Sequence, residues 1–382
     1  MITLILIVAC MIALSKCLWL YYASIRIKTE SPDCVLFPES FEPLVKVSLI
    51  VPAWNDAGVL ERCLNALVRE MRTVKMQSEL IVIAGGEDAS YERALGWKAR
   101  QADSLDVTVL AQSAHGKNRA LNDGVVNAHG QILVLVDADT EVLPGWLPAL
   151  IEPLVRGQAA ATTGCFCPFH KTSVSTVFVI EQYLAQVVGR RGNLFGGGTI
   201  ALTQEIWSRI GGFPNDVTVG VDWDLTQRVH RRGYVTKFVP SASVMTEIAE
   251  SWWEFWRAEV RWRRGWWALQ RTLKARMMAL YTAVTSALMC CSLVLLIGAL
   301  IGPRDLRYLL ALAALTILIW CLGPYIVRIV LYWRHTRTAL TKQDVAAYLL
   351  AAYVSSLALI AGIFTPGQLA PHFKGQRTRD VA

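Results

Sequence analysis

Asp137-Ala138-Asp139-Thr140 follows directly on the five-residue apolar run Ile132 to Val136. Two carboxylates one residue apart at the exit of a buried strand suit a hard divalent cation, because Mg²⁺ or Mn²⁺ takes oxygen ligands and shares them with substrate phosphates. The pair therefore predicts a nucleotide diphosphate carrying a group for transfer. Taken alone, an Asp-x-Asp step is more often a turn that caps the next segment, and its neighbours in the sequence decide between the two.

Those neighbours are polar segments set at the ends of apolar runs. Val47-Ser-Leu-Ile-Val-Pro-Ala-Trp-Asn-Asp56 reads as a strand breaking at Pro52 into a loop that can meet a nucleotide. Gly116-Lys-Asn-Arg-Ala-Leu-Asn-Asp-Gly124 leads into the Asp137 step. Gly196-Gly-Gly-Thr-Ile-Ala201 is followed by Ile210-Gly-Gly-Phe213 and by Val221-Asp-Trp-Asp-Leu225. Arg261-Trp262 comes last, inside a tryptophan-dense helix.

The elements that must position these groups read as an α/β sheet between about Lys46 and Met245, where short β-branched runs alternate with helical stretches. Strands are expected at Val47 to Val51, Leu80 to Ala84, Val107 to Ala111 and Ile132 to Val136. Helices are expected at Val59 to Met71, Tyr91 to Gln101 and Asn118 to Ala128. Ligands of such sheets bind beyond the carboxyl ends of the strands, where these motifs fall.

The rest of the chain points to a bilayer. Of its 382 residues 54% are hydrophobic, more than a soluble enzyme carries. Ile2 to Ala23 is long enough to span, and it lacks the basic start and cleavage site of a signal peptide. Arg26 and Lys28 place the region that follows in the cytoplasm. Three more apolar blocks run from Ala279 to Ile301, Leu306 to Trp333 with a Gly323-Pro324 interruption, and Val345 to Phe364. Lys374, Arg377 and Arg379 argue for an inside tail, against four complete crossings, so Val345 to Phe364 is expected to be re-entrant or interfacial. The net charge of +8 fits an anionic membrane surface and not nucleic acid, because many of the basic residues flank apolar segments. Nine cysteines without metal-ligand spacing read as reduced packing residues.

The expected organisation is an anchor at 1–25, a linker at 26–45, a cytosolic catalytic domain at 46–245, an amphipathic interfacial helix at 246–276, a transmembrane region at 277–366 and a basic tail at 367–382. The membrane would be the cell membrane.

In order and spacing, the four motif groups resemble the membrane-embedded branch of the family 2 glycosyltransferases, which includes cellulose, chitin and hyaluronan synthases and ceramide glucosyltransferases. The resemblance implies a GT-A fold, a nucleotide-diphosphate sugar donor, most often a UDP-sugar, and inversion at the anomeric carbon. It implies that Asp139 holds the metal and that Asp137 touches the nucleotide or its ribose. Pro52, Ala53, Asn55, Asp56 and Lys117 would belong to the donor site, with Asp88 as the substitute for an acidic step that here reads Gly85-Gly86-Glu87-Asp88. Asp222 matches the general base, although Val221 replaces its usual acidic neighbour. Asp224 matches a second acidic position or caps the helix after it. Arg261 and Trp262 match a Gln-x-x-Arg-Trp motif whose glutamine position is Ala258.

The residue chemistry agrees with these roles. An incoming hydroxyl is a poor nucleophile, and a carboxylate in hydrogen-bond reach can take its proton as it attacks. A metal, with Lys117 or Arg261, offsets charge on the departing diphosphate. Six of the 14 tryptophans lie between Trp252 and Trp267. With Phe255 and Val260 they are expected to face lipid, opposite Glu254, Arg257, Arg261 and Arg264. Such a helix presents a lipid hydroxyl or the mouth of a polymer channel, so the acceptor is a lipid or a glycan. A lipid acceptor is preferred, with a processive polysaccharide synthase or a catalytically silent membrane assembly subunit as the alternatives.

Overall fold

The computed structural model describes residues 2–25, 45–74, 76–101, 105–112, 116–187, 194, 198–214, 220–268 and 273–364. The proline-rich linker, Gly196, Gly197 and the basic tail lie outside the described residues. In chain order the elements are α1 (Ile2–Ile25), β1 (Val47–Trp54), α2 (Leu60–Thr73), β2 (Ser78–Gly85), α3 (Ser90–Ala99), β3 (Asp106–Ala111), α4 (Lys117–Val126) and β4 (Ile132–Val136). There follow β5 (Glu141–Val142), α5 (Trp146–Val155), β6 (Ala161–Pro168), α6 (Ser173–Val187), β7 (Thr199–Thr203), α7 (Gln204–Ile210), α8 (Val221–Arg231) and β8 (Thr236–Thr246). The last four are α9 (Trp252–Ala268), α10 (Leu273–Ile301), α11 (Arg304–Thr336) and α12 (Lys342–Phe364). Two compact units result, one built on the sheet and one made of α1, α6 and α9 to α12.

The eight strands form one sheet in the order β3-β2-β1-β4-β7-β6-β8-β5. β1 to β4 are mutually parallel, as strands joined by crossover helices must be. β7 runs antiparallel to β4 and β6, so the sheet is mixed. Chain order turns back at β1, whose neighbours are β2 on one side and β4 on the other. That reversal is where open α/β sheets leave a crevice for ligands.

β1 departs from the sequence expectation in an informative way, since it continues through Pro52 to Trp54. Val47 N and Asn55 N donate to Gln77 O and Gly85 O, so odd-numbered residues bond toward β2. Pro52, an even position, faces β4, and pairing with β4 has already ended at Ile50. Its missing N–H therefore leaves no ladder bond unmade.

The opposite end of the sheet is tied by a buried carboxylate. Glu79 at the start of β2 accepts hydrogen bonds from Ser48 Oγ in β1 and from His129 N before β4, at 2.6 Å. Lys46 Nζ lies 2.9 Å away. Burial alone would raise this carboxyl, but the bonds from Ser48, His129 and Lys46 outweigh it and hold Glu79 at about 2.

Among the described residues, three helices of the helical unit are long and apolar enough to cross a membrane, Arg276–Ile301, Arg304–Thr336 and Lys342–Gly362. α11 runs unbroken through Gly323-Pro324. A Cβ at Gly323 would lie 2.3 Å from Cys17 Sγ, so the glycine is what lets α1 approach α11. α12 does not turn back on itself as a re-entrant segment would. It is one helix of 23 residues, about 34 Å at 1.5 Å per residue, begun by a Thr341–Asp344 capping box. α6 packs on α11 and α12, although its sequence lies between the sheet strands β6 and β7.

The faces of α9 are divided differently from the expected pattern. Phe255, Ala258, Glu259 and Val260 are buried, with α12 packed alongside, while Trp253, Trp262 and Trp267 are exposed. Small Ala258 and the close backbone approach at Gly362 make helix packing decide the orientation of the inner side. Only part of the aromatic set remains for a lipid face.

Glu79 supplies a test of the sheet anchor. Its folded pKa lies below the unfolded one, so its contribution is complete above about 4.3 and is lost as pH falls toward about 2. Glu79→Gln is expected to lower neutral-pH stability by about 1–3 kcal/mol and to flatten the acid limb, as measured by thermal melts across that range.

Candidate active site

Two loops leave the sheet beside the chain reversal, one after β1 and one after β4. In the first, Asn55 takes a left-handed backbone, φ 58°, and its Oδ1 accepts a hydrogen bond from Glu87 N at 2.7 Å. Asp56 Oδ2 accepts from Trp54 N at 3.0 Å, and Asp56 N donates to Ser90 Oγ at 2.9 Å. Asp88 accepts from Ala57 N at 2.9 Å through one oxygen and from Ser90 N and Oγ through the other. These three side chains clamp the exit of β1 to the exit of β2. Pro52 and Ala53 are buried beneath them. Of the residues expected to touch the nucleotide, this group shapes the crevice wall, and Asn55 and Asp88 stay exposed at its rim.

The second loop carries the paired carboxylates. Asp137 N donates to Gly198 O at 2.8 Å, and Thr140 N donates to Asp137 O at 3.0 Å, which folds 137 to 140 into a tight turn. Gly198 has φ 59°, and a Cβ there would sit 2.8 Å from Thr140 Oγ1, so the strand facing the turn needs glycine. Asp139 is buried, with 5% of its surface exposed. Asp137 is half-buried and ion-paired with Lys117 Nζ from the first turn of α4. Lys117 is half exposed and pairs across to the Asp137 turn.

Asp222 sits in the first turn of α8, where Trp223 N donates to its Oδ1 at 2.9 Å. Thr226 Oγ1 donates to Asp222 O and accepts from Leu194 N, which fixes this turn to the segment before β7. Burial pushes the Asp222 carboxyl above the ordinary aspartate range; the Lys117 charge opposes that shift and the Asp137 charge adds to it. The Lys117 and Asp137 charges are thus both felt at Asp222.

Asp224 has a different task from either of those expected. Its Oδ2 accepts from Arg228 Nε at 2.7 Å, and Arg228 donates in turn to Ile210 O and Gly212 O. The helix begins at Gly220 with no side-chain cap, so Asp224 holds the Gly211-Gly212 turn through Arg228.

The sequence reading passed over Asn118 and Asn122. Their amides donate to Pro214 O and Phe213 O, and Phe213 N donates back to Asn122 Oδ1. Their i, i+4 spacing inside the Gly116 to Gly124 motif was the available signal, because it puts two amides on one face of α4.

Arg261 and Trp262 belong to the helical unit. Burial and the neighbouring Arg257 both push the Arg261 guanidinium down, a setting that favours an anion. Trp262 stacks edge-on against Phe178 at 5.4 Å.

Among the described residues no group of three or more His, Cys, Asp or Glu side chains is arranged to hold a metal ion. Asp137 and Asp139 nevertheless fit an oxygen-seeking cation that completes its shell with substrate oxygens and water. The described cysteines are free thiols, and burial pushes Cys165 up to about 12, as expected of a packing residue.

Comparison with known proteins agrees with this architecture. The chain is 30% identical over 244 residues to a probable glycosyltransferase, YdaM, of Bacillus subtilis, covering 59% of this chain and 56% of that protein. It is 26% identical over 201 residues to glycosyltransferase AglE of Haloferax volcanii, covering 50% and 64%. A stretch of 124 residues is 24% identical to the undecaprenyl-phosphate 4-deoxy-4-formamido-L-arabinose transferase of Proteus mirabilis, covering 32% and 38%. In each case the chain spans less than two thirds of the relative's length. Among solved structures, the mannosyltransferase PcManGT of Pyrobaculum calidifontis, in complex with GDP-Man and Mn²⁺, aligns with a TM-score of 0.54 and 17% identity over 95% of this chain and 99% of that one. This likeness concerns the GT-A fold. Residues 43–265, more than half of the chain, match the family described as glycosyltransferase like family 2, and the chain belongs to that family.

Proposed function

We propose that this protein is a membrane-bound, metal-dependent, inverting glycosyltransferase that moves a sugar from a nucleotide-diphosphate donor to a lipid acceptor. The observation that supports the reading is the Lys117–Asp137 ion pair in the turn after β4, beside buried Asp139, whose charges are felt at the Asp222 carboxyl in the first turn of α8. Asp222 takes the proton of the acceptor hydroxyl as its oxygen attacks the anomeric carbon, and the bond to the diphosphate breaks on the opposite face. A carboxylate destabilised by burial is a stronger base than one in water, which suits that step. Lys117 turns from Asp137 toward the developing charge of the leaving diphosphate. A divalent cation held by Asp139, with Asp137 next to it, supplies further charge neutralisation when bound.

The acceptor reading draws on the three apolar helices and on the lipid-phosphate substrate in the name of the Proteus relative. Arg26 and Lys28 support a cytoplasmic catalytic unit at the cell membrane. The donor base is left to experiment, because Asp88 is occupied in the wall; a UDP-sugar is the first candidate.

Three outcomes test the reading. Purified protein given labelled nucleotide sugars with Mg²⁺ or Mn²⁺ is expected to yield a glycolipid by mass spectrometry; a polymer ladder would replace the lipid acceptor by a growing glycan, and absence of nucleotide binding under every metal condition would replace the enzyme by an assembly subunit. Asp222→Asn should lower turnover by about 10²-fold or more while raising the melting temperature at pH 7. The sign follows from its raised folded pKa: above both pKa values the ionised group costs stability, and the amide removes that cost. The acid limb of kcat/KM in the wild type should lie above the ordinary aspartate value of about 3.9, and a limb at or below it would remove Asp222 as the base. Asp139→Asn should weaken metal-dependent nucleotide binding, read by calorimetry with and without Mn²⁺, by about tenfold or more.

A further inference from the structure

The helical unit contains a cleft of about 250 Å³ whose lining mixes hydroxyl and cationic side chains with apolar ones. Lys16 of α1 enters from one side. Its Nζ donates to Tyr281 Oη of α10 at 3.3 Å and lies 3.7 Å from the centre of the Trp320 ring of α11. Among the described residues no carboxylate pairs with it.

The other cations lining the cleft are already balanced. Arg263 pairs with Glu259 at 3.0 Å, and Arg328 pairs with Glu181 at 3.1 Å. Lys16 is the surplus charge. A lysine among apolar helices is costly and is retained where it meets a ligand or a partner.

Hydroxyl groups give a second, independent sign. Thr282, Thr285 and Ser356 donate to carbonyls of their own helices, the usual outlet for a hydroxyl in a helix. Ser286 and Ser355 do not, and neither they nor Tyr325 Oη has a hydrogen-bond partner among the described residues. Ser286 lines the cleft and is only 7% exposed. An ammonium and several unspent O–H donors around one space are what a phosphate monoester requires.

The surface of the same helices indicates what carries the phosphate. Tyr281, which lines the cleft, is 47% exposed, with exposed Leu280 and Val284 near it on α10, and α1, which supplies Lys16, presents exposed Ile12, Leu18 and Trp19. A ligand reaching Lys16 from this side passes along hydrocarbon-like surface. We propose that the cleft binds the phosphate headgroup of a lipid, with Lys16 as its counter-ion, Ser286 and Ser355 as donors, and the tail along the apolar faces of α1 and α10.

This goes beyond the acceptor reading and concerns binding alone, whatever hydroxyl Asp222 activates. The full-length protein in detergent would be titrated with a polyprenyl phosphate, the matching polyprenol and inorganic phosphate, with bound ligand read by native mass spectrometry. The lipid phosphate should bind at least about tenfold more tightly than the alcohol and than inorganic phosphate. Lys16→Met should erase the advantage over the alcohol, Lys16→Arg should retain it, and Ser286→Ala should reduce it severalfold. Equal binding of phosphate and alcohol, an unaffected Lys16→Met, or inorganic phosphate binding as tightly as the lipid would each overturn the proposal. Asp222→Asn is expected to bind the lipid phosphate normally, so failure of the transferase reading and failure of the cleft give different results.

Discussion

The site depends on a mismatch in strand pairing. β1 is bonded to β2 along its whole length but to β4 only as far as Ile50, so the two central strands part before either one ends. Parting opens a crevice in the middle of the sheet and not at its rim, with buried backbone on both sides. Pro52 is tolerated at the divergence because its side of β1 has no acceptor to satisfy. The polar clamp made by Asn55, Asp56 and Asp88 then closes one wall, and the Asp137 turn, bonded to Gly198, closes the other.

Electrostatics follow from that geometry. A half-buried cluster of two carboxylates and one lysine cannot satisfy all its members equally: Lys117 settles on Asp137, and Asp222 is left with a destabilised charge. The sheet keeps such a cluster because its far end is held independently. Glu79 joins the starts of β1 and β2 to the turn before β4, so a carboxylate held low by its hydrogen bonds sits at the end of the strands opposite the Asp137 turn, while burial holds Asp222 high.

Much of this was legible in the chain itself. The strands β1 to β4 and their helices follow from periodicity, and Ile132 to Val136 is reproduced residue for residue, because burial on both faces demands a continuous apolar run. Asp137, Asp139, Lys117 and Asp222 stand at the ends of elements, as their place after a glycine or an apolar run leads one to expect. Less legible were the residues whose role is set by distant partners. Asp88 and Asp224 look like ligand carboxylates in sequence, and the partners that hold them, the Ala57 and Ser90 amides and Arg228, could not be read there. The inner face of α9 was misjudged because tryptophan density says that a helix is amphipathic without saying which aromatic residues another helix will cover. Nothing local announced that α6 would join the helical unit, since its companions α11 and α12 come far later in the chain.

That last point bears on how the protein is made. Cys17 on α1 rests on Ile319 of α11, 302 residues downstream, at the position where Gly323 admits it. At about 5–20 residues per second, synthesis of the intervening chain takes about 15–60 seconds. Throughout that interval α1, with Lys16 in its middle, has no Trp320 to lie against, and α6 waits similarly for its neighbours. Packing of the helical unit therefore has to wait until α11 and α12 have been made, long after α1 and α6.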